Sequence, residues 1–173
     1  MEIQPWLYQI EPYPGESLSH YLGRFRRANY LTISALGTAS GLGGMFIKRL
    51  EHFYLNPFPT AKQIADLAGY MGISPEAVLG MLPPCGVPIK LEPSRLCAAC
   101  YAEAPYHRLA WQYKQTSGCE KHRLRLLSEC PKCKKRFGIP SIWTGYCNRC
   151  GLPYESMKIF QKPFEGLTAN LNN

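Results

Sequence analysis

Cys97-Ala98-Ala99-Cys100, Cys119-Glu120-Lys121-His122, Cys130-Pro131-Lys132-Cys133 and Cys147-Asn148-Arg149-Cys150 share one spacing. In each, two metal-binding side chains stand two residues apart. A tight turn can then aim both at one ion, and two such knuckles complete a tetrahedral zinc site. The four pairs use seven of the eight cysteines and one of the four histidines. Two closed, four-ligand zinc sites are therefore expected, with no open position for a reacting water. Such metals are structural. At about 10–16 kcal/mol of apparent binding energy each, they supply folding energy to segments with little apolar core.

A disulfide framework is the competing reading of eight cysteines in a small chain. The opening stretch MEIQPWLYQIEPYPGESL has no basic n-region and no apolar run, so it does not read as a signal peptide. No segment approaches the roughly 18–20 apolar residues of a membrane span. The chain is expected in the cytoplasm, where thiols stay reduced and regular CxxC pairs are metal ligands. A redox CxxC would need a βαβ context, which the pattern does not show. Sequential pairing leaves 18 residues between Cys100 and Cys119, and 13 between Cys133 and Cys147. It closes each loop locally and costs less entropy than a cross-braced arrangement, which is the alternative. The expected sites are Cys97, Cys100, Cys119 and His122, then Cys130, Cys133, Cys147 and Cys150.

The formal charge of +8 is unevenly placed. Residues 1–84 carry six bases and six acids, whereas residues 85–173 carry fourteen and six. Metal-bound thiolates lower the second figure, leaving that half at about +5. A surface of this sign favours a phosphate backbone or an acidic protein face. Lys132, Lys134, Lys135 and Arg136 crowd one knuckle, Arg123 and Arg125 lie just upstream, and Arg149 belongs to the opposite knuckle. These seven are the candidate nucleic-acid contacts. Phe137, Trp143 and Tyr146 are interleaved with them, as stacking platforms or as the ribbon's own core.

Leu82-Pro83-Pro84-Cys85-Gly86-Val87-Pro88 ends any helix and separates an N-terminal module from the zinc modules. The organisation expected is a helical domain at 1–84, a linker and first ribbon at 85–128, a second ribbon at 129–154 and a tail at 155–173. The stretch from Gln161 to Asn173 is polar and weakly patterned and reads as mobile unless a partner orders it. Ser17 is a good N-cap, and Leu18, Tyr21, Leu22, Phe25 and Ala28 follow at helical spacing. Thr32-Ile33-Ser34 reads as a turn and a second cap, followed by a shorter helix through Leu36 and Ala39; Gly41 to Gly44 interrupts it, and residues 45–53 suit a third helix with Phe46, Leu50 and Phe53 inward. Residues 60–82 resemble a helix-turn-helix: Thr60 and Ser74 as caps, Gly72 at the turn, Pro75 at the favoured first position. As a DNA reader the second helix is poor. It offers Pro75, Glu76, Ala77, Leu79 and Gly80, and none of these carries an Arg, Lys, Asn or Gln head to read base edges. A structural or protein-docking role fits it better. The fold class is thus a mainly α N-terminal helix-turn-helix-type domain followed by two tandem zinc ribbons, α+β and zinc-stabilised.

Pro12-Tyr13-Pro14-Gly15-Glu16-Ser17-Leu18-Ser19-His20-Tyr21-Leu22-Gly23-Arg24 resembles the opening signature of the TniQ/TnsD family of bacterial transposition proteins. Arg95-Leu96-Cys97, Tyr106-His107-Arg108-Leu109-Ala110-Trp111, Cys119 to His122 and Cys130 to Cys133 resemble its zinc-ribbon region. The chain stops soon after its second ribbon, as does the short TniQ of type V-K CRISPR-associated transposons. The resemblance implies a target-selection adaptor, with partners in the AAA+ ATPase TnsC and a guide-RNA effector, and sequence choice delegated to RNA–DNA pairing. On that basis Arg24, Arg26 and Arg27 are candidates for docking an acidic face of the ATPase, with Trp6 and Tyr8 beside them. An independent zinc-containing DNA-binding regulator is the alternative. Enzymatic readings are thin: the chain has no P-loop, GxSxG or HExxH. His20 and His107 read as packing or hydrogen-bonding residues, and Cys85 as an incidental small apolar one.

Overall fold

α1 (Leu18–Ala28), α2 (Ile33–Ala39), α3 (Gly44–Glu51), α4 (Ala61–Met71) and α5 (Pro75–Gly80) make the N-terminal module. The computed structural model describes residues 8–139 and 141–165. Trp6 and the tail from Gly166 onward lie outside them. Four of the five helices begin at the hydroxyl that the sequence offers. Ser17, Thr32, Thr60 and Ser74 accept from the backbone N–H of His20, Ala35, Gln63 and Ala77, and Gln63 reaches back to complete a capping box at Thr60. α3 starts at Gly43 without a side-chain cap.

Leu18, Tyr21, Leu22 and Phe25 on α1 form the expected buried stripe, packed against Leu36, Leu50, Leu67, Met71 and Val78, but Ala28, at the helix end, is exposed. On α3 the inward set differs from the expected one. Leu50 is buried, as is Phe53 just beyond the helix end, but Ile47 takes the central place and Phe46 is only half-buried. A stripe of three or four residues per two turns admits either phase, and the crossing with α1 chooses between them. Gly72, at φ 71°, ends α4 in the left-handed conformation, and Ser74 starts α5 at once.

The second half has shorter pieces: α6 (Ala98–Glu103), a 3-10 turn at Leu109–Gln112, β1 (Gly118–Cys119), β2 (Leu124–Arg125), α7 (Ser141–Thr144) and a 3-10 helix at Glu155–Phe160. β1 and β2 pair antiparallel, with Cys119 opposite Leu124. The chain that follows the second ribbon returns to the first. Arg125 N donates to Lys162 O at 2.8 Å, and Phe164 N donates to Arg123 O at 2.7 Å. Residues 161–165 thereby extend the hairpin, so the start of the tail is held rather than free. Leu96, Tyr101, Trp111, Phe137, Tyr154 and Met157 join the buried ligands in one core.

The proline-rich segment breaks the helices but does not isolate the modules. Ser17 N donates to His107 O and Leu109 N to Gly15 O, both at 3.0 Å. Tyr106 OH donates to Pro14 O at 2.9 Å, and its ring stacks on Tyr13 at 4.8 Å. From the second ribbon, Trp143 covers Gly23: a Cβ there would meet the indole at 2.6 Å. Arg27 then donates to Trp143 O at 2.8 Å. No helix among the described residues is long and apolar enough to cross a membrane.

Candidate metal centres and the surfaces around them

In the first centre, Cys97 sits at the start of α6 and Cys100 one turn along it. Cys119 comes from β1, and His122 from the turn that follows. The ring nitrogen His122 Nδ1 faces all three sulfurs, at 3.7 Å from Cys97, 3.3 Å from Cys100 and 3.6 Å from Cys119. Cys100 and Cys119 are 3.6 Å apart. A tetrahedral ion with metal–sulfur bonds near 2.3 Å and metal–nitrogen bonds near 2.0–2.1 Å demands separations of about 3.8 Å and 3.6 Å. The residues therefore fit one ion.

His122 turns its other nitrogen, Nε2, to Glu103 Oε1 at 2.8 Å. Glu103 lies at the end of α6, three residues after Cys100. Hydrogen bonds from Lys121 and His122 hold its carboxyl down, to about 2. A carboxylate behind a ligating imidazole fixes its tautomer and orientation. Gln161 closes the site from the other side. Its Oε1 accepts from Ala98 N at 2.8 Å and from Ala99 N at 3.3 Å, and its amide donates to Arg125 O at 2.7 Å. Neither residue was marked by the sequence, because nothing local ties either one to a knuckle.

The second centre is built from two equivalent knuckles. Cys130 N donates to Lys135 O and Lys134 N to Cys130 O. Cys147 N donates to Leu152 O and Gly151 N to Cys147 O; all four bonds are 2.9 Å. The residue after the second ligand is left-handed in both, Lys134 at φ 61° and Gly151 at φ 69°. Sulfur pairs Cys130–Cys150 and Cys133–Cys147 stand at 3.6 Å and 3.5 Å. In each centre all four ligand atoms lie within 4.8 Å of one another. The knuckles group in sequential order, and each set is compatible with one structural metal ion.

The opening signature has a structural task at nearly every position. Gly15, at φ 69°, makes the turn that buries Glu16 completely. Arg24 grips its carboxylate at 2.8 Å and 2.7 Å, His20 Nδ1 bonds it too, and Tyr13 N donates at 3.0 Å. Burial works to raise the Glu16 pKa, but the bonds from His20 and Arg24 outweigh it, and the group stays below the usual carboxylate range. Ser17 Oγ meets His107 Nδ1 at 2.9 Å, and His107 Nε2 reaches Arg95 O at 3.1 Å. The signature thus locks α1 onto the ribbon region.

The sequence model of the TniQ family matches residues 7–126. The chain belongs to the TniQ family. A TniQ domain marks the protein as transposition-associated. The match takes in the helical module and the first metal centre and ends before Cys130, so the second ribbon lies beyond it. Among curated proteins, none matches the chain.

Around this TniQ domain the arginines of α1 divide by task. Arg24 holds Glu16, and Arg26 holds buried Glu51 at 2.5 Å. Burial pushes Glu51 up while Arg26 pulls it back. Arg27 is exposed apart from its bond to Trp143. Tyr8 is 67% exposed, with its backbone exchanging hydrogen bonds with Asn29. Arg123, Arg125, Lys132, Lys134, Lys135, Arg136 and Arg149 are all exposed. Of the interleaved aromatics, Phe137 is core, Trp143 covers α1 and Tyr146 is 46% exposed. Cys85 is exposed, at the edge of an apolar groove that Leu79 and Gly80 of α5 also line.

Proposed function

We propose that the protein is a non-catalytic target-selection adaptor of a CRISPR-associated transposon, linking the AAA+ ATPase TnsC to a guide-RNA effector at target DNA. The observation that carries this reading is how the surface is divided. Seven cationic side chains face solvent on and beside a metal-held ribbon. The second helix of the α4–α5 pair instead lays Leu79 and Gly80 along an apolar groove. Cations on a rigid frame bind phosphates without reading sequence, which suits an adaptor whose site is chosen by RNA–DNA pairing. Zinc is the proposed metal, because closed sets of three cysteines with one histidine, and of four cysteines, favour it at tetrahedral separations. The place of action under this reading is the bacterial cytoplasm. Arg27 and Tyr8, with Trp6 outside the described residues, are the proposed ATPase-facing group, while Arg24 and Arg26 keep that face in shape.

Co-purification of the tagged protein with the matching TnsC and with the guide-RNA effector tests the adaptor role. Retention of both partners is expected; loss of either overturns it. Sequence-selective shifting of duplex DNA by the isolated protein would instead support a stand-alone zinc-containing helix-turn-helix regulator.

A further inference from the structure

A cleft of about 340 Å³ opens on the second ribbon, and none of the metal ligands lines it. One wall is Glu92 and Pro93, from the chain entering the ribbons. The other is the strand-like run that includes Lys135, Arg136 and Ile139, and Asn148 reaches in from the opposite knuckle. The walls are tied rather than loose. Ser94 N donates to Phe137 O at 3.0 Å, Cys130 N holds Lys135 O at 2.9 Å, and Glu129 and Arg136 bridge their backbones. The cleft sits at the small end of the range for ligand pockets, about 300–1,000 Å³.

We propose that this cleft takes one unpaired nucleotide of a single strand. The assignment rests on the reading of the second ribbon as a nucleic-acid surface and makes it more specific. Lys135 and Arg136 supply the cations that a phosphate at the mouth needs. Pro93 and Ile139 offer apolar faces to the flat sides of a base. Asn148 presents a donor and an acceptor together, the arrangement that pairs with a base edge, and the Glu92 carboxylate accepts from an exocyclic amine. A carboxylate inside a basic cleft repels a bare phosphate chain. It gains only where a donor-bearing base comes with that chain, so an amine-bearing base is favoured over uracil or thymine. A base inside a duplex cannot enter, because its edge is paired and its faces are stacked. The wall from Lys135 to Ile139 and Asn148 lie beyond the segment matched by the family, and Glu92 and Pro93 lie within it.

The test is fluorescence anisotropy on the full chain with two metals bound. The probes are a single-stranded RNA, the same sequence as DNA, a blunt duplex, and a single strand made abasic throughout. Single strands should bind about tenfold tighter than duplex at equal salt, and the abasic strand should lose that preference. Gly138 lines the cleft, and a Cβ added there meets nothing within 4 Å. Gly138→Leu should therefore obstruct it and erase the single-strand preference while duplex binding and its salt slope persist. Should that variant fail to retain metal, Asn148→Ala with Glu92→Gln serves the same end, and should abolish discrimination between adenine- and uracil-rich strands. Comparing the RNA with the DNA strand shows which sugar the cleft receives. Equal affinity for strand, abasic strand and duplex overturns the pocket. The surface reading survives that result if neutralising Lys132, Lys134 and Arg149, which lie outside the cleft, still weakens all binding and flattens its salt dependence. Absence of any binding overturns both.

Discussion

Gly23→Ala is the most direct probe of how the two halves are joined. Gly23 lies inside α1, where alanine is the better helix former by about 1 kcal/mol. On propensity alone the substitution stabilises. The Cβ, however, would stand 2.6 Å from Trp143 Cγ, 2.7 Å from Cδ1 and 2.9 Å from Cδ2. Carbon atoms settle at about 3.5–4.0 Å, so the indole must retreat by about 1 Å. The bond from Arg27 to Trp143 O and the stacking of Arg26 over the ring at 5.3 Å restrain that retreat. Overpacking of this kind costs about 1–3 kcal/mol, which equals or exceeds the propensity gain. Gly69→Ala is the control, because its Cβ within α4 meets nothing within 4 Å and should deliver the gain alone. For a chain of this size 1 kcal/mol moves Tm by about 2–4 °C, so Gly23→Ala should melt about 2–12 °C below Gly69→Ala at saturating metal. In a Trp143→Ala background the two substitutions should behave alike. If Gly23→Ala stabilises the intact protein as much as Gly69→Ala does, the packed junction is wrong.

Metal analysis should return two ions per chain, and Glu103→Ala should weaken the first centre about 10–100-fold in chelator competition while leaving the second unchanged; equal weakening of both would remove Glu103 from its place behind His122. Arg24→Ala should cost about 3 kcal/mol, because it leaves the Glu16 carboxylate buried without its cation, whereas Arg27→Ala should cost under about 1 kcal/mol. Thermal melts decide between them, and equal losses would refute the division of the arginines into frame and docking surface. Burial, with His20 close by, pushes the His107 pKa down to about 3. The unfolded chain, with its histidine near 6.5, then binds the extra proton, so this stability is complete above about pH 6.5 and declines toward pH 3 by up to about 1.4 kcal/mol per unit. His107→Gln should flatten the fall of Tm between about pH 7 and 5, and an unchanged slope would show that His107 is not held neutral.

What the sequence made legible was local. Ser17, Thr60 and Ser74 were readable as caps because a hydroxyl and the N–H it accepts lie three residues apart, and each caps as read; in the stretch Thr32-Ile33-Ser34 it is Thr32 that caps. The ligands were readable because two residues between sulfurs is itself a geometric statement, and the loop lengths favoured the sequential grouping in which the ligand atoms stand. Glu103, Gln161 and Trp143 were not readable. Each acts on a partner 19, 63 and 116 residues away, through His122, Ala98 and Arg27. The arginines of α1 show the same limit from the other side. A helical wheel places Arg24 and Arg26 off the apolar stripe, and solvent is the default for such positions. The buried carboxylates that claim them come from the turn before α1 and from the end of α3. The family signature unites the two scales. Its Ser17 caps α1 locally and meets His107 across the module junction, and its Gly23 both continues the helix and leaves room for Trp143. A stretch that reads as a helix start is, in the folded chain, the seam that carries the ribbons. A change in either metal centre should therefore be felt by α1, and a docking event on the face of Arg27 should be felt by the ribbon that holds Trp143.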